Sequence, residues 1–203
     1  MKHLNVTLDY GTIKSINNLQ FKKLYNHSTP PQIMKKIQAT LITNQTTSNT
    51  SEAHTLHQKS NFGTKQNQKI LYSTYETYFL TEQNKMQVQN FQNKTITKQA
   101  LLKKFTNQNK NFLTNYTVFK DLTKSGYTIK TALKFGAAFR VYQKNTKHSK
   151  WICYPIKENS KIKTQDFAAQ NRVAHSTKKN LLMAIVDDEN STTYYEIKWI
   201  QPQ

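Results

Sequence analysis

The chain has 203 residues and a formal charge of +19, from 30 basic against 11 acidic side chains. That excess favours phosphate backbones or anionic membrane surfaces as partners, and the length accommodates one or two small domains. No stretch approaches the roughly 18 apolar residues of a spanning helix, which excludes a single-helix membrane anchor; mean hydropathy is -0.78, yet 11% aromatic residues still supply a core.

Cys153 is the only cysteine, so no intramolecular disulfide forms and a reducing compartment is expected. Its place in the alternating run Trp151, Cys153, Pro155 reads as buried filler before it reads as a nucleophile. The first residues carry no apolar run of the kind a secretory signal needs.

In chain order, Leu4, Val6, Leu8 and Tyr10 alternate with polar residues, predicting a half-buried strand at 4–10. Short helices are expected at 17–26 and 32–42, separated by Pro30-Pro31. Residues 43–68 are Asn, Thr, Ser, Gln and His with few apolar side chains, and read as a solvated loop. His54 and His57 lie in it, three apart; two histidines make a weaker metal signal than a polar loop does. Leu71, Thr74, Tyr75, Tyr78 and Phe79 recur at helical spacing, with Ser73 as cap. A short strand at 86–88 closes a first domain, 1–95.

The second domain, 96–203, opens with a helix at 98–105 capped by Thr97. A longer helix follows at 109–124. Its inner stripe is Phe112, Tyr116, Phe119 and either Leu122 or Thr123, and Ser125-Gly126 ends it. Tyr127 and Ile129 begin a strand. In the next, Phe139 and Val141 point one way, Arg140 and Tyr142 the other. Residues 151–156 make a third strand. Thr164 is expected to cap a helix at 165–174, with Asp166 in its first turn. The apolar run 181–186 fits a strand buried on both faces. Residues 187–190 turn, and 192–200 form a last strand. The fold class is α+β.

Cleaving RNA without a metal uses the 2′-hydroxyl as an internal nucleophile. A base takes the 2′ proton, an acid protonates the departing 5′ oxygen, and a cation stabilises charge on the phosphoryl oxygens. Tyr142, His148 and Lys179 suit these tasks. Imidazole titrates near neutrality. A phenol normally titrates near ~10, so one acting as base relies on a nearby cation. Tyr142 ends a predicted strand, His148 follows in a short loop, and Lys179 stands where a helix gives way to a buried strand. Taken singly, they read as a packing tyrosine, a structural histidine and a solvated lysine.

The surrounding words add to this. GYTIKTALKFGAAFRVY, HSKW and RVAHSTKKNLLMAIVDDENSTTYYEIKW resemble the catalytic domain of the tRNA-intron endonuclease (tRNA-splicing endonuclease) family, nearly end to end from Gly126 to Trp199. Upstream, NFGTKQNQKILYSTYETYFLTEQNKMQV resembles that family's N-terminal domain. The resemblance implies a small mixed α/β N-terminal domain. A nuclease-like C-terminal domain follows it, with a central mixed β-sheet flanked by helices. It implies Tyr142 as base, His148 as acid and Lys179 as transition-state cation. The products are a 2′,3′-cyclic phosphate and a 5′-hydroxyl, and neither cofactor nor metal is implied. It further implies that Arg172, with Lys198 or Trp199, grips a bulged intron base. The acidic turn Asp187, Asp188, Glu189 would dock into a partner subunit. This chain departs from the family pattern after KFG, where Ala137 and Ala138 replace an acidic residue.

The expected activity is cleavage of precursor tRNA at intron–exon junctions, by an assembly of identical or paralogous subunits. The alternatives are a non-catalytic RNA-binding or scaffolding subunit of the same complex, and a metal-dependent DNA nuclease using Asp187, Asp188 and Glu189. The consecutive carboxylates point in different directions, which argues against the last. The Asn-, Gln- and Lys-rich composition favours an AT-rich eukaryotic genome. The expected compartment is the nucleus if the chain is eukaryotic and the cytoplasm if it is archaeal.

Overall fold

The computed structural model describes residues 35–200. The strand predicted at 4–10 and the helix at 17–26 lie outside them, as does the start of the helix predicted at 32–42. The described part of that last segment is a strand, β1 (Ile37–Ile42). Ile37, Ala39 and Leu41 all point inward, at 3%, 3% and 4% exposure. That period of two belongs to a strand.

The stretch 43–68 is ordered structure, not the loop expected. It forms β2 (Gln45–Ser48), α1 (Ser51–Ser60) and β3 (Thr64–Gln66). Small polar side chains do the core's work here. Thr46 and Ser48 are buried, and the Ser48 hydroxyl donates to the Gln38 carbonyl at 2.6 Å. The Thr50 hydroxyl caps α1 by accepting from the Ala53 N–H at 3.3 Å.

Leu71 belongs to β4 (Lys69–Tyr72), not to the following helix. That helix, α2 (Thr74–Glu82), opens with a capping box. The Ser73 hydroxyl accepts from the Glu76 N–H at 3.2 Å, and the Glu76 carboxylate accepts from the Ser73 N–H at 2.9 Å. Then come β5 (Met86–Gln89), α3 (Lys98–Gln108) and α4 (Phe112–Lys124). Leu122, not Thr123, completes the inner stripe of α4.

The second half continues with β6 (Thr128–Ala132), β7 (Ala137–Tyr142), β8 (Trp151–Lys157), α5 (Thr164–Ser176), β9 (Asn180–Val186) and β10 (Thr192–Ile197). Thr164 is the first helical residue of α5 instead of its cap. Lys163 holds the cap position and makes no side-chain bond there. The last strand stops at Ile197, short of 200.

Among the described residues the architecture is α+β, with two mixed five-stranded sheets. Their orders are β3-β4-β2-β1-β5 and β10-β9-β8-β7-β6. Parallel pairing occurs between β1 and β5 and between β8 and β9, whose crossover is α5. One aromatic core joins the two sheets. Tyr75 of α2 stacks on Phe112 of α4 at 5.2 Å and meets Phe139 of β7 edge-on at 5.0 Å. Lys130 of β6 reaches across to the first half. Its ammonium donates to the Asn61 carbonyl, to the Gly63 carbonyl at 2.5 Å and to Glu76 at 3.2 Å. Gly63 has φ +71°, and a Cβ there would lie 2.4 Å from Ile70 Cγ2, so this corner admits no side chain.

Cys153 is fully buried, and burial pushes its thiol far above the ordinary range. It is filler, as its alternating neighbours implied. No helix among the described residues is long and apolar enough to cross a membrane.

Candidate active site

Three strand ends meet in one row of the second sheet. Val141 pairs with Trp151, and Trp151 pairs with Asn180. Tyr142 is the residue after Val141, and Lys179 the residue before Asn180. Neighbouring strands lie about 4.8 Å apart, so the two backbones flank β8 at about 10 Å. Alternation puts both on one face. Phe139 and Val141 enter the core, so Arg140 and Tyr142 turn away from it. Leu182, Ala184 and Val186 enter the core, so Leu181, and Lys179 in step with it, take the other side.

His148 rides the loop between β7 and β8. Lys150 N–H donates to the Val141 carbonyl at 3.0 Å, which closes the loop. The Thr146 hydroxyl lies within hydrogen-bond reach of the Gln143 and His148 carbonyls, at 2.9 and 3.2 Å. Ser149 is buried and anchors the return, while the His148 side chain is exposed.

Lys179 is set by the end of α5. Lys178 adopts a left-handed φ of 55°; its N–H donates to the His175 carbonyl and the Lys179 N–H to the Ala174 carbonyl, both at 2.9 Å. This double closure turns the helix sharply into β9. The Lys179 ammonium donates to the Thr177 carbonyl at 2.7 Å.

The fold therefore gathers the three positions at one end of the sheet, but their side chains do not line one cavity. Tyr142 lines a cleft of about 510 Å³ with His57, Lys130 and Lys147. Lys179 lines a hollow of about 250 Å³ with His175, Lys198 and Trp199.

Comparison with known proteins covers the stretch that holds these residues. A family model described as tRNA intron endonuclease, catalytic C-terminal domain, matches residues 112–194. The chain is 37% identical over 146 residues to the tRNA-splicing endonuclease of Pyrococcus abyssi, covering 72% of this chain and 85% of that one. Against the Nanoarchaeum equitans tRNA-splicing endonuclease, identity is 38% over 137 residues, with 63% and 87% covered. Against that of Methanothermobacter thermautotrophicus, it is 35% over 159 residues, with 75% and 91% covered. The chain belongs to the tRNA-splicing endonuclease family.

The remaining residues singled out by the family resemblance are dispersed. Lys198 and Trp199 follow β10 in irregular chain, and Trp199 lies against the His175 ring at 4.6 Å. Arg172 is exposed on α5 and does not line their hollow. The acidic turn sits at the far end of β9, roughly 26 Å from Lys179 by strand rise. Asp187 is engaged within the turn, accepting from the Ser191 N–H at 2.8 Å. Asp188 and Glu189 are exposed. Among the described residues, no three His, Cys, Asp or Glu side chains cluster as metal ligands would.

Glu196 escaped the sequence reading. Its Oε1 accepts from Trp151 Nε1 at 2.9 Å and from Asn180 Nδ2 at 2.5 Å, with Lys150 Nζ 3.9 Å away. The bonds from Asn180 and Trp151 hold its carboxyl below the usual range. Glu196 thus ties the start of β8, just past His148, to the start of β9, just past Lys179. Small misplacements of reacting groups are costly, so Glu196→Ala is expected to lower kcat for tRNA cleavage roughly tenfold. A concentration series separates this from KM, which should move less. Because the folded carboxyl is depressed, its tie is present at neutral pH and weakens as pH falls through the acid range.

Proposed function

We propose that this chain cuts precursor tRNA at its intron–exon junctions, with Tyr142, His148 and Lys179 as the reacting groups and no cofactor. Tyr142 takes the 2′ proton, and the 2′ oxygen attacks phosphorus. The bond to the 5′ oxygen breaks as His148 protonates that oxygen, leaving a 2′,3′-cyclic phosphate and a 5′-hydroxyl. Lys179 exchanges the Thr177 carbonyl for the phosphoryl oxygens and steadies their growing charge. The observation that supports this reading is the register row that sets Tyr142 and Lys179 at one sheet end, with His148 in the adjoining loop, in a strongly basic chain.

Arg172, Lys198 and Trp199 grip a bulged base of the substrate held by a neighbouring subunit. The turn at Asp187, Asp188 and Glu189 docks on that neighbour, an identical or paralogous chain. The N-terminal domain ends near residue 95, and the catalytic domain runs from 96; each half carries its own sheet. The relatives are archaeal, which favours the cytoplasmic over the nuclear compartment.

The engagement of Lys179 by Thr177, and the separate cavities of Lys179 and Tyr142, favour a second reading: an RNA-binding subunit without scission. The two separate in one experiment. Purified chain is incubated with an intron-containing precursor tRNA in excess EDTA. Exons ending in a cyclic phosphate support cleavage. Salt-dependent binding with intact RNA supports the scaffold.

A further inference from the structure

We propose that His57 reads a ribose 2′-hydroxyl on the substrate strand, at one of the two nucleotides 5′ of the one that supplies the attacking oxygen. This rests on the roles given above to Tyr142 and His148.

The starting point is the end of α1. Asn61 takes a left-handed φ of 55° and its N–H donates to the His57 carbonyl at 2.8 Å. The chain folds back, and the Phe62 carbonyl meets His57 Nδ1 at 2.9 Å. A carbonyl only accepts, so Nδ1 carries the proton and Nε2 of the neutral ring is a lone-pair acceptor. The ring has no other hydrogen-bond partner among the described residues.

That half-buried imidazole lines the cleft of about 510 Å³ that also holds Tyr142, Asn145 and Lys147. The volume falls within the roughly 300–1,000 Å³ of small-molecule sites. Lys130 lines it too, but its ammonium is engaged by Glu76 and two carbonyls. Lys147 makes no ion pair among the described residues. A phosphate entering the cleft goes to Lys147. Nε2 needs a donor instead, and the only donor on a nucleic-acid backbone is the ribose 2′-hydroxyl. The direction follows from the neighbours. Tyr142, beside the nucleotide that supplies the attacking oxygen, lines the cleft. His148, beside the leaving oxygen, does not.

The test is a double comparison. Substrates carry one 2′-deoxy substitution at each of the two nucleotides preceding the cleaved one in turn, which leaves the reacting hydroxyl intact. For the wild type, one of them should raise KM about three- to tenfold, the size of one hydrogen bond. In His57→Ala, KM is already raised for the all-ribose substrate and the deoxy substitution adds nothing. His57→Asn keeps a donor for the Phe62 carbonyl, so the helix end is preserved, and must behave like His57→Ala. His57→Gln reaches the Nε2 position and recovers part of the ribose preference. Lys59→Ala, which removes a full charge from the same helix end, keeps the preference. The proposal is overturned if the wild type ignores both substitutions, or if His57→Asn responds to them as the wild type does. The same substrate pairs compared by equilibrium binding report the ribose preference even in a chain that does not cut, so failure of cleavage and failure of this contact are distinguishable.

Discussion

His148→Ala lowers the single-turnover rate of precursor tRNA cleavage by about 10²–10⁴-fold, the range expected for removing a positioned acid, and leaves tRNA affinity unchanged. The side chain is exposed on its loop, and its ring makes no hydrogen bond among the described residues. Its loss therefore leaves the melting temperature where it was, and the rate change cannot be assigned to misfolding. The sharper measurement replaces the bridging 5′ oxygen at the cut site with sulfur. A thiolate departs without protonation, so this substrate restores cleavage to His148→Ala. It does not restore Lys179→Ala, whose missing cation acts on the non-bridging oxygens. If sulfur rescues neither variant, His148 is not the acid. If His148→Ala cuts the ordinary substrate at full speed, the whole assignment of the row fails.

Lys130→Met destabilises the folded chain by about 1–3 kcal/mol, the usual cost of removing one partner of a buried charged group. That is a large share of the roughly 5–15 kcal/mol available to a domain. Glu76 is 5% exposed and accepts from the Gly63 N–H at 2.8 Å and from the Ser73 N–H and hydroxyl at 2.9 Å. Without the ammonium, its charge sits uncompensated between β6 and the first sheet. Urea unfolding gives the midpoint and slope. Lys130→Met combined with Glu76→Gln recovers part of the loss, because the amide needs no counter-charge. An unchanged midpoint in the single variant means the contact is one of the many surface pairs that contribute little.

What the sequence disclosed follows from how each element earns its burial. β9 was legible because both of its faces are covered, which demands an unbroken apolar run. The start of α2 was legible because Ser73 carries a recognisable cap. β1 was misread because only Ile37, Ala39 and Leu41 mark its period, and a six-residue stretch that short also fits a helix. The stretch 43–68 was opaque for a different reason. Its inward positions are Thr46, Ser48 and Ala53, residue types that composition assigns to solvent. Of these only Ser48 offsets its burial with a hydrogen bond, to the Gln38 carbonyl, which pattern-reading cannot see. The same blindness hid His57. Set in a loop, His54 and His57 look like a pair; on α1, His54 Nε2 faces Asn49 and the Gln68 carbonyl, while His57 turns to the Phe62 carbonyl and the cleft. Tyr142, His148 and Lys179 were singled out from chemistry and resemblance. Glu196 was not, because only the register of β10 on β9 brings it near Trp151 and Asn180.

The two tips of β9 lie apart, one next to the Lys179 ammonium and the other next to the carboxylates of Asp187, Asp188 and Glu189. Being clasped at one pole leaves the opposite pole bare. On the roles proposed above, recruiting further copies would multiply the cutting mouths on show without stoppering any of them, which is what a substrate with two junctions to sever calls for.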